Sequence, residues 1–396
     1  MLAIYLSPLY IIGCIYVWRW FVRWLGACHD IFKRKGAKIA VAAVVLLAAS
    51  SLPAGFFMPV NRFGRLVNSI ANLWFGVFAC LLLVLILSDV VGLIIKKAGK
   101  GRRKPAGERK FTAIYGGICL SIIAVICVYG AVNAGIVRVT PYEVTIPKDG
   151  GALDDLNIVL AADLHLGYNI GCAQMEAMVE KINASNPDLV VIAGDIFDNN
   201  YDALEDDQEL IRILGSIEST YGVYACYGNH DVAEPILAGF TFPSEHKKQS
   251  DERMDKFLEA AGITLLQDEG VLIEDSFYLF GRADAQRPGR GIEVRVTPEE
   301  ITKNMDLSKP VIVIDHEPGE LEELSEAGVD LDLSGHTHDG QIFPANLLMK
   351  FLWENPCGYL QKGNMHSIVT SGVGLFGPDM RVGTKAEICQ IHVNFL

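Results

Sequence analysis

The sequence has 396 residues, of which 51% are hydrophobic, and its mean hydropathy of +0.28 is high for a wholly soluble protein. This length suggests more than one domain. The formal net charge of −13 argues against nucleic-acid binding, which needs a basic surface. The nine cysteines include no Cys-x-x-Cys pair, so the sequence excludes a zinc ribbon and a thioredoxin-like site.

The first third of the chain predicts a membrane domain, because it contains four apolar runs that are nearly free of charge. The runs are 2–17, 39–58, 70–95 and 111–134. A helix needs roughly 20 apolar residues to cross a bilayer, and Trp18, Trp20 and Trp24 extend the short first run with side chains that suit the interface. Buried core helices are one alternative, and a signal peptide is another for the first run. Four successive runs and the lack of an Ala-x-Ala site favour four transmembrane helices over 1–134.

The basic residues predict the orientation of these helices. Residues 1–134 hold 16 basic and 3 acidic residues, a net of +13, whereas residues 135–396 have a net of −26. The first and third loops between the helices carry six and eight cations, and the second carries two. Basic loops stay in the cytoplasm. We therefore predict a multi-pass protein of the cell membrane with everything after the fourth helix outside the cytoplasm.

One acidic residue, Asp89, lies inside the third apolar run. An acidic residue within a membrane is a functional candidate by default. Because Lys96 and Lys97 follow it closely at the cytoplasmic end, we interpret Asp89 as a charge with a local partner.

The remainder of the chain has the pattern of an α/β domain. Residues 135–155 are a linker with a first edge strand at 139–146, and residues 156–396 are predicted to form the catalytic domain. Strands are predicted at 157–162, 188–193, 222–227, 263–266, 271–274, 277–280, 310–315, 330–334, 367–371 and 386–393. Helices are predicted at 173–183, 204–219, 251–261, 298–304 and 320–327. Strands that alternate with helices indicate a largely parallel sheet with helical cover.

Polar clusters follow five of these apolar strands. They are Asp163-Leu164-His165, Gly194-Asp195, Gly228-Asn229-His230-Asp231, His316 and Gly335-His336-Thr337-His338. Ligands bind at the carboxyl ends of strands in open α/β sheets, so the five clusters can converge on one place. Asp195 is the candidate bridge between two cations, because each of its carboxylate oxygens can hold one of them. The mixture of oxygen and nitrogen donors without a thiolate suits Mn, Fe or Zn rather than Ca.

This order of motifs resembles the calcineurin-like metallophosphoesterase family, whose signature reads Asp-x-His, Gly-Asp, Gly-Asn-His-Asp/Glu, His and Gly-His-x-His. The resemblance covers residues 156–393 and looks closest to the membrane-associated bacterial branch. The last motif of that branch commonly reads Gly-His-Thr-His-Gly-Gly-Gln, whereas this chain has Asp339 at the fifth position. The resemblance implies a calcineurin-like αββα sandwich behind the four transmembrane helices.

The resemblance also implies roles for individual residues. One cation would be held by Asp163, His165, Asp195 and His338, and the other by Asp195, Asn229, His316 and His336. A hydroxide that bridges the two cations would attack phosphorus. His230 would act as the general acid or stabilise charge on the leaving oxygen, and Asp231 would orient its imidazole.

We therefore expect a membrane-anchored phosphohydrolase that cleaves a phosphodiester, phosphomonoester or pyrophosphate bond of a lipid-linked or envelope substrate. Its expected partners are this phosphorylated small molecule or lipid and the bilayer, and the sequence does not give its oligomeric state. One alternative is a UDP-diacylglucosamine-type pyrophosphatase of lipid A synthesis, although that substrate is made in the cytoplasm. Others are a transporter or sensor that carries a phosphoesterase-like domain, and a phosphoprotein phosphatase, which the acidic domain fits poorly.

Several further segments are assigned by nearness to the motifs. Tyr168, Asn169 and Arg381 are candidate substrate contacts. Residues 232–256 are either a lid over the pocket or a solvated loop. The glycine-rich segment 372–377 lacks a following Gly-Lys-Ser/Thr and is interpreted as a turn near the site rather than a P-loop. Four histidines match no motif and are interpreted as ordinary: His29, His246, His366 and His392.

Overall fold

The structure is a computed structural model that describes residues 2–98, 105–234, 236–237, 240–241 and 250–396. Several predictions lie outside the described residues: those for Lys100, Arg102, Arg103, Lys104 and His246, and much of the predicted lid. The chain divides into two compact units. The first comprises Met1–Val132, Ile236–Phe242 and Gly377–Met380, and the second comprises Asn133–Pro235, Pro243–Phe376 and Arg381–Leu396.

Four long helices form most of the first unit. They are α1 Leu2–Cys28, α2 Lys35–Phe57, α3 Arg62–Ala98 and α4 Pro105–Ala134, with a 3-10 turn at Asp30–Lys33 between the first two. Each helix contains a stretch that is long and apolar enough to cross a membrane. The prediction of four membrane-spanning helices is confirmed. The helices also continue past the apolar runs into polar residues at their ends.

Asp89 has a partner on a neighbouring helix. Its Oδ1 lies 2.8 Å from Arg23 Nη2, and the Tyr16 hydroxyl donates to its Oδ2 at 3.1 Å. Both partners belong to α1, whereas Asp89 belongs to α3. Asp89 therefore has a local charge partner, as predicted, and the cation that lies beside it is Arg23 of the neighbouring helix α1.

Two six-stranded sheets form the centre of the second unit. The strands of the chain are β1 Val137–Ile146, β2 Asp155–Ala161, β3 Leu189–Ala193, β4 Val223–Cys226, β5 Ile236–Leu237, β6 Phe240–Thr241, β7 Ile263–Leu265, β8 Glu269–Ile273, β9 Phe277–Gly281, β10 Val311–Ile314, β11 Leu331–Ser334, β12 Gly358–Lys362, β13 Met365–Val369 and β14 Ala386–Phe395. One sheet has the order β1-β14-β2-β3-β4-β7, and the other has the order β12-β13-β11-β10-β9-β8. The hairpin of β5 and β6 belongs to the first unit. The predicted edge strand at 139–146 is confirmed as β1.

Most neighbouring strands in the two sheets are parallel. The antiparallel pairs are β14 with β2, β12 with β13, and β8 with β9. Parallel strands place their carboxyl ends at the same edge of a sheet, and this order brings the ends of β2, β3 and β4 together. The ends of β10 and β11 meet in the other sheet.

Six helices cover the outer faces of the two sheets or extend from them. They are α5 Cys172–Ala184, α6 Asp207–Leu214, α7 Glu252–Ala260, α8 Pro298–Thr302, α9 Leu321–Glu326 and α10 Ala345–Leu352. Successive residues of a strand point to opposite faces. Ile158 and Leu160 of β2 therefore pack between the sheets, whereas Val159 and Ala161 pack in the cluster that contains α5, α6 and α7. Helices α8 and α9 cover the second sheet. The predicted αββα sandwich is confirmed.

Some element boundaries differ from the prediction. The predicted helix 204–219 is only α6, because the Asp206 side chain caps its start and the helix ends before Gly215. Helix α8 has Thr297 as its cap and Pro298 at its first position, and it ends at Thr302 rather than at the predicted residue 304. Helix α10 and strand β12 were not predicted.

Candidate metal centre

The predicted ligands lie in loops that leave the carboxyl ends of strands in both sheets. Asp163 and His165 follow β2, Asp195 follows β3, Asn229 follows β4, His316 follows β10, and His336 and His338 follow β11. Main-chain hydrogen bonds tie these loops to each other: the Asp163 N–H donates to Gly194 at 3.0 Å, and the Gly335 N–H donates to His316 at 3.1 Å. The structure brings all seven residues into two groups of side chains.

The first donor cluster consists of Asp163, His165 and His338. Their ligand atoms lie within 4.8 Å of one another, and all three residues are buried. His165 Nε2 and His338 Nε2 face each other at 3.0 Å, and His338 Nε2 lies 3.6 Å from Asp163 Oδ1. Nitrogen and oxygen donors that converge in this way are suited to hold one divalent cation.

The second donor cluster consists of Asp195, His316 and His336, whose ligand atoms also lie within 4.8 Å of one another. His316 Nε2 is 3.1 Å from His336 Nδ1 and 3.1 Å from Asn229 Oδ1. His316 Nδ1 lies 2.9 Å from the Ala193 carbonyl oxygen. Since a carbonyl oxygen can only accept, His316 Nδ1 donates there, which leaves Nε2 as the nitrogen that faces the other donors.

Asp195 connects the two clusters. Its Oδ2 lies 3.2 Å from His316 Nε2 and 3.6 Å from His165 Nε2, while its Oδ1 accepts the His230 main-chain N–H at 2.7 Å. A single oxygen thus faces the histidines of both clusters. We had expected each oxygen of Asp195 to serve one cation, and the main-chain hydrogen bond to Oδ1 is the physical reason for the difference.

The main chain is strained at these loops. Five of the seven donor residues adopt a positive φ: Asp163 at 55°, His165 at 47°, Asp195 at 49°, His336 at 70° and His338 at 50°. This left-handed region is uncommon for residues other than glycine. Sparsely populated conformations cost on the order of 1–3 kcal/mol each and tend to cluster at functional sites. The concentration of strain therefore marks the strand ends as a functional site.

Two motif glycines make room for the donors. A Cβ on Gly194 would lie 2.6 Å from His316 Nδ1, and a Cβ on Gly228 would lie 2.3 Å from Asp195 Oδ1. Gly194 also has a φ of +74°. Any larger residue at either position would displace a donor, which explains why each precedes a polar residue in its motif.

The electrostatics of the site favour cation binding. Burial, together with the charge of His316, lowers the pKa of His336 to about 3. Burial, followed by the charges of His165 and Arg381, holds the pKa of His338 well below its usual value. Both imidazoles are therefore neutral at neutral pH, as metal ligands must be. Burial opposes the ionisation of Asp195, but His316 and other imidazoles outweigh it and hold its pKa well below the usual range.

His230 lies beside the first donor cluster and faces a carboxylate that the sequence reasoning missed. Asp198 Oδ1 is 3.3 Å from His230 Nδ1 and 3.5 Å from His165 Nδ1. Burial opposes the ionisation of Asp198, but the two imidazoles that face it lower its pKa to about 2. The only signal in the sequence was its position three residues after Asp195, at the end of β3.

Asp231 does not have the predicted role of orienting His230. Its Oδ1 accepts the Phe197 main-chain N–H at 2.8 Å, and its Oδ2 accepts the Gly228 N–H at 2.7 Å. Both oxygens are therefore occupied in holding the loops after β3 and β4 together. Burial raises the pKa of Asp231 to about 7. The prediction that Asp231 acts through His230 is wrong.

Arg381 is also placed differently from the prediction. It is fully buried, and its Nη2 donates to the carbonyl oxygens of Ser371, Gly372 and Gly374 at 2.7, 3.1 and 2.8 Å. The same nitrogen lies 3.3 Å from His338 Nδ1. Arg381 thus holds the glycine-rich segment against the first donor cluster, and its full burial disfavours the predicted contact with substrate.

The glycine-rich segment lies near the site, as predicted, because the Gly374 N–H donates to the Asp163 carbonyl at 2.7 Å. Tyr168 and Asn169 are half-buried and remain predicted substrate contacts. Asp339 has a φ of 49°, and burial raises its pKa. Three histidines that match no motif lie outside both donor clusters: His29, His366 and His392.

Two aromatic rings and one further acid adjoin the clusters and were not predicted. The Phe376 ring lies 5.5 Å from the His230 ring, and the Trp353 ring lies 5.3 Å from the His336 ring, both edge to face. Glu317 Oε1 is 4.0 Å from His336 Nε2. Their contacts join residues that are separated in the sequence, so no local sequence pattern predicts them.

Two mainly parallel sheets whose strand ends supply two linked groups of nitrogen and oxygen donors define a metal-dependent hydrolase. The family model described as calcineurin-like phosphoesterase matches residues 156–340. The chain contains a calcineurin-like metallophosphoesterase domain, and this domain makes the protein a phosphoester hydrolase. The resemblance drawn from the motifs is confirmed.

Relatives share more than this domain. A transmembrane protein with a metallophosphoesterase domain from Danio rerio is 27% identical over 98% of this chain and 88% of its own length. A protein with the same description from Bos taurus is 28% identical over the same shares. An uncharacterized metallophosphoesterase of Campylobacter jejuni is 27% identical over 82% of this chain and 83% of its own. These similarities extend into the four apolar helices and agree with a membrane protein.

Proposed function

We propose that the protein is a membrane-anchored phosphohydrolase that uses two divalent cations, Mn, Fe or Zn, to cleave a phosphodiester, phosphomonoester or pyrophosphate bond. The observation that carries this proposal is the meeting of two donor clusters at Asp195 Oδ2. When bound, two cations lower the pKa of a shared water and neutralise charge on the phosphoryl oxygens. A lipid-linked or envelope substrate fits an enzyme that is anchored in the bilayer.

The residues divide between the cations as the motifs predict. Asp163, His165, Asp195 and His338 would hold one cation, and Asp195, Asn229, His316 and His336 the other. The neutral imidazoles offer lone pairs, and the ionised Asp195 contributes negative charge to both positions. Five of these residues adopt left-handed conformations in the loops that position their side chains.

His230 is the proposed proton donor. Asp198 lies against its Nδ1, which leaves Nε2 as the nitrogen that can donate to the leaving oxygen. The Phe376 ring packs against the other side of the imidazole. Asp198 is thus the positioning residue that the sequence reasoning had assigned to Asp231.

Hydrolysis of a chromogenic phosphodiester by the full-length protein in detergent tests this function. The protein loaded with Mn or Zn should be active, and His230→Ala should lose activity while its metal content stays the same. His392→Ala is the matched control, because that histidine is half-exposed and remote from the donors. Full activity of the metal-loaded His230→Ala variant would contradict the proposed proton donor.

The basic loops support a catalytic domain outside the cytoplasm. In this proposal residues 1–134 are the transmembrane region, 135–155 the linker with the first strand, and 156–396 the catalytic domain. A reporter enzyme fused after Leu396 should be active only outside the cytoplasm. A fusion that is active only inside would overturn the orientation.

A further inference from the structure

Helix α10 and the residue Phe343 before it expose large apolar side chains on the catalytic unit. No residue of α10 is buried. The exposed side chains are Phe343, Leu347, Leu348, Phe351 and Leu352, of which Phe351 is 86% and Leu352 70% exposed. Contiguous apolar surface of this kind marks a site of interaction. We call residues 343–352 the apolar lip.

The apolar lip is attached to the metal centre at both ends. It begins five residues after His338, and a Cβ on Gly340 would lie only 2.4 Å from the Asn346 main-chain nitrogen, so the turn packs closely on the helix. Trp353 follows it directly, and the ring of Trp353 lies 5.3 Å from the His336 ring. The Thr337 hydroxyl donates to the Pro356 carbonyl beyond the helix. Whatever covers the lip is therefore held beside the second donor cluster.

The charge of the apolar lip suits a lipid surface. Residues 343–353 contain no acidic side chain, and their one charge is the exposed Lys350. Helices that lie in the membrane interface combine apolar side chains with lysine or arginine, which attract anionic headgroups. An acidic side chain within the lip would repel those headgroups. The nearest acids in the sequence, Asp339 and Glu354, lie outside residues 343–352.

The connection to the membrane helices supplies the second argument. The catalytic unit begins at Asn133, within the last turn of α4, and β1 starts at Val137. Two residues separate the end of α4 from β1, and a connection this short spans about 10 Å at most. The catalytic unit is thus tethered to the membrane helices, so its exposed surfaces meet lipid at a high effective concentration. Even a short helix with few apolar side chains then suffices for contact.

We infer that the apolar lip inserts into the headgroup region of the bilayer and brings the metal centre to the phosphate of a membrane-embedded amphiphile. The substrate class is then a phosphorylated lipid rather than a water-soluble phosphoester. This inference rests on the proposed phosphohydrolase function. In this inference the lip contacts the lipid surface, and it contacts neither a second copy of the chain nor helices α1–α4.

Photo-crosslinking tests the occupant directly. A photoreactive phenylalanine analogue is placed at Phe351 in the full-length protein, which is then reconstituted into vesicles of phosphatidylglycerol with radiolabelled phosphate. The control position is Val294, which is 84% exposed on the same unit. Label should attach to the chain at least about tenfold more from position 351, because only that side chain enters the interface. A crosslink to a second copy or to α1–α4, or equal labelling at both positions, would overturn the inference.

Paired activity measurements test the substrate class. Leu348→Asp combined with Phe351→Asp places charges at exposed positions, so the fold should be kept, which the thermal midpoint checks against Val294→Asp. The vesicles contain phosphatidylglycerol, phosphatidic acid and an isoprenyl diphosphate, and the same preparation receives a chromogenic phosphodiester. The double variant should lose about tenfold or more on the lipids and keep its activity on the soluble diester, because a charge is costly to place among apolar chains.

The outcomes separate the two proposals. Equal activity of the double variant and the wild type on the lipids would refute the role of the lip, as would an equal loss on both substrates. A wild-type protein that cleaves the diester but none of the lipids would refute the lipid substrate class while leaving the phosphohydrolase intact. A metal-loaded wild-type protein that cleaves neither would instead refute the phosphohydrolase function itself.

Discussion

The interiors of the central strands and their carboxyl ends follow opposite rules. Inside β2 and β3 every residue from Leu156 to Ala161 and from Leu189 to Ala193 except Asn157 is buried and apolar, with ordinary main-chain geometry. A few residues further on, Asp163 and Asp195 are equally buried but charged or polar, and their main chain is strained. The strand interiors stabilise the fold, whereas the strained strand ends lower its stability while they hold the donors in place. Substitutions in the two regions should therefore fail in different ways.

The largest effect should come from a strand end and should leave stability unchanged. His230→Ala removes the proposed proton donor, and general acid catalysis contributes typically about 10²–10⁴-fold to rate. We expect kcat on a chromogenic phosphodiester to fall within this range while the thermal midpoint of the full-length protein stays the same. A clear fall in the thermal midpoint of His230→Ala would show that the imidazole also stabilises the fold. That result would contradict the contrast between the two regions.

A strand interior should show the reverse. Leu160→Ala creates a cavity between the sheets, where Leu160 is fully buried, and such changes cost roughly 2–5 kcal/mol. We expect a lower thermal midpoint but wild-type kcat for the molecules that remain folded. Leu272→Ala is the control, since that side chain is largely exposed. A lower kcat of Leu160→Ala with an unchanged thermal midpoint would contradict the contrast between strand interiors and strand ends.

Asp198→Asn sharpens the assignment at the end of β3. It removes the charge that faces His230 and His165 while keeping the shape of the side chain. Losing a residue that orients a catalytic or ligating histidine typically costs about 10–100-fold. The loss should appear in kcat and its pH profile rather than in KM. Asp202→Asn, an exposed acid paired with Arg253, should be neutral, and an equal effect of the two changes would remove Asp198 from the mechanism.

The smallest effect tests a polar exception inside a strand. Asp332 lies within β11, where burial, and then the charge of Asp315, raise its pKa to about 7. Its Oδ1 has no hydrogen-bond partner. The folded protein thus binds a proton that the unfolded chain releases at its ordinary pKa near 4, so this residue lowers stability as pH rises from about 4 to 7.

Asp332→Asn should therefore be more stable than the wild type above pH 7, by a few kcal/mol at most since one pKa unit corresponds to about 1.4 kcal/mol. The difference should vanish as the pH falls towards 4. Thermal midpoints of both proteins across this range measure it, with Asp306→Asn, at an exposed acid, as the control. A constant or opposite difference would contradict the raised pKa.

The same contrast explains what the sequence could predict. Apolar runs that end in Asp, Asn or His predicted β2, β3, β4, β10 and β11 and the seven candidate donors at their ends, because the pattern is local and each strand end carries its own motif. Helix α10 was missed because its eight residues are too few to show a clear helical period in the sequence. Strand β12 was missed because its pairing with β13 is visible only in the folded sheet.

Roles that depend on contacts between loops could not be predicted. Asp231 was assigned to His230 because they are neighbours in sequence, yet successive residues of a turn point in different directions, and Asp198 from another loop faces the ring. Arg381 was assigned to substrate because of its charge, but its surroundings are main-chain carbonyl oxygens. The type of a residue indicates which chemistry its side chain can perform. Its contact partners and its burial are known only from the folded structure.

The metal content of the purified full-length protein tests the central claim most directly. After removal of metals and reloading with Mn or Zn, the wild type and His392→Ala should each bind two cations per chain. Asp195→Ala should bind at most one and lose its phosphodiesterase activity, since both clusters share that carboxylate. A wild-type protein that binds fewer than two cations, or an Asp195→Ala variant that binds two and remains fully active, would contradict the account.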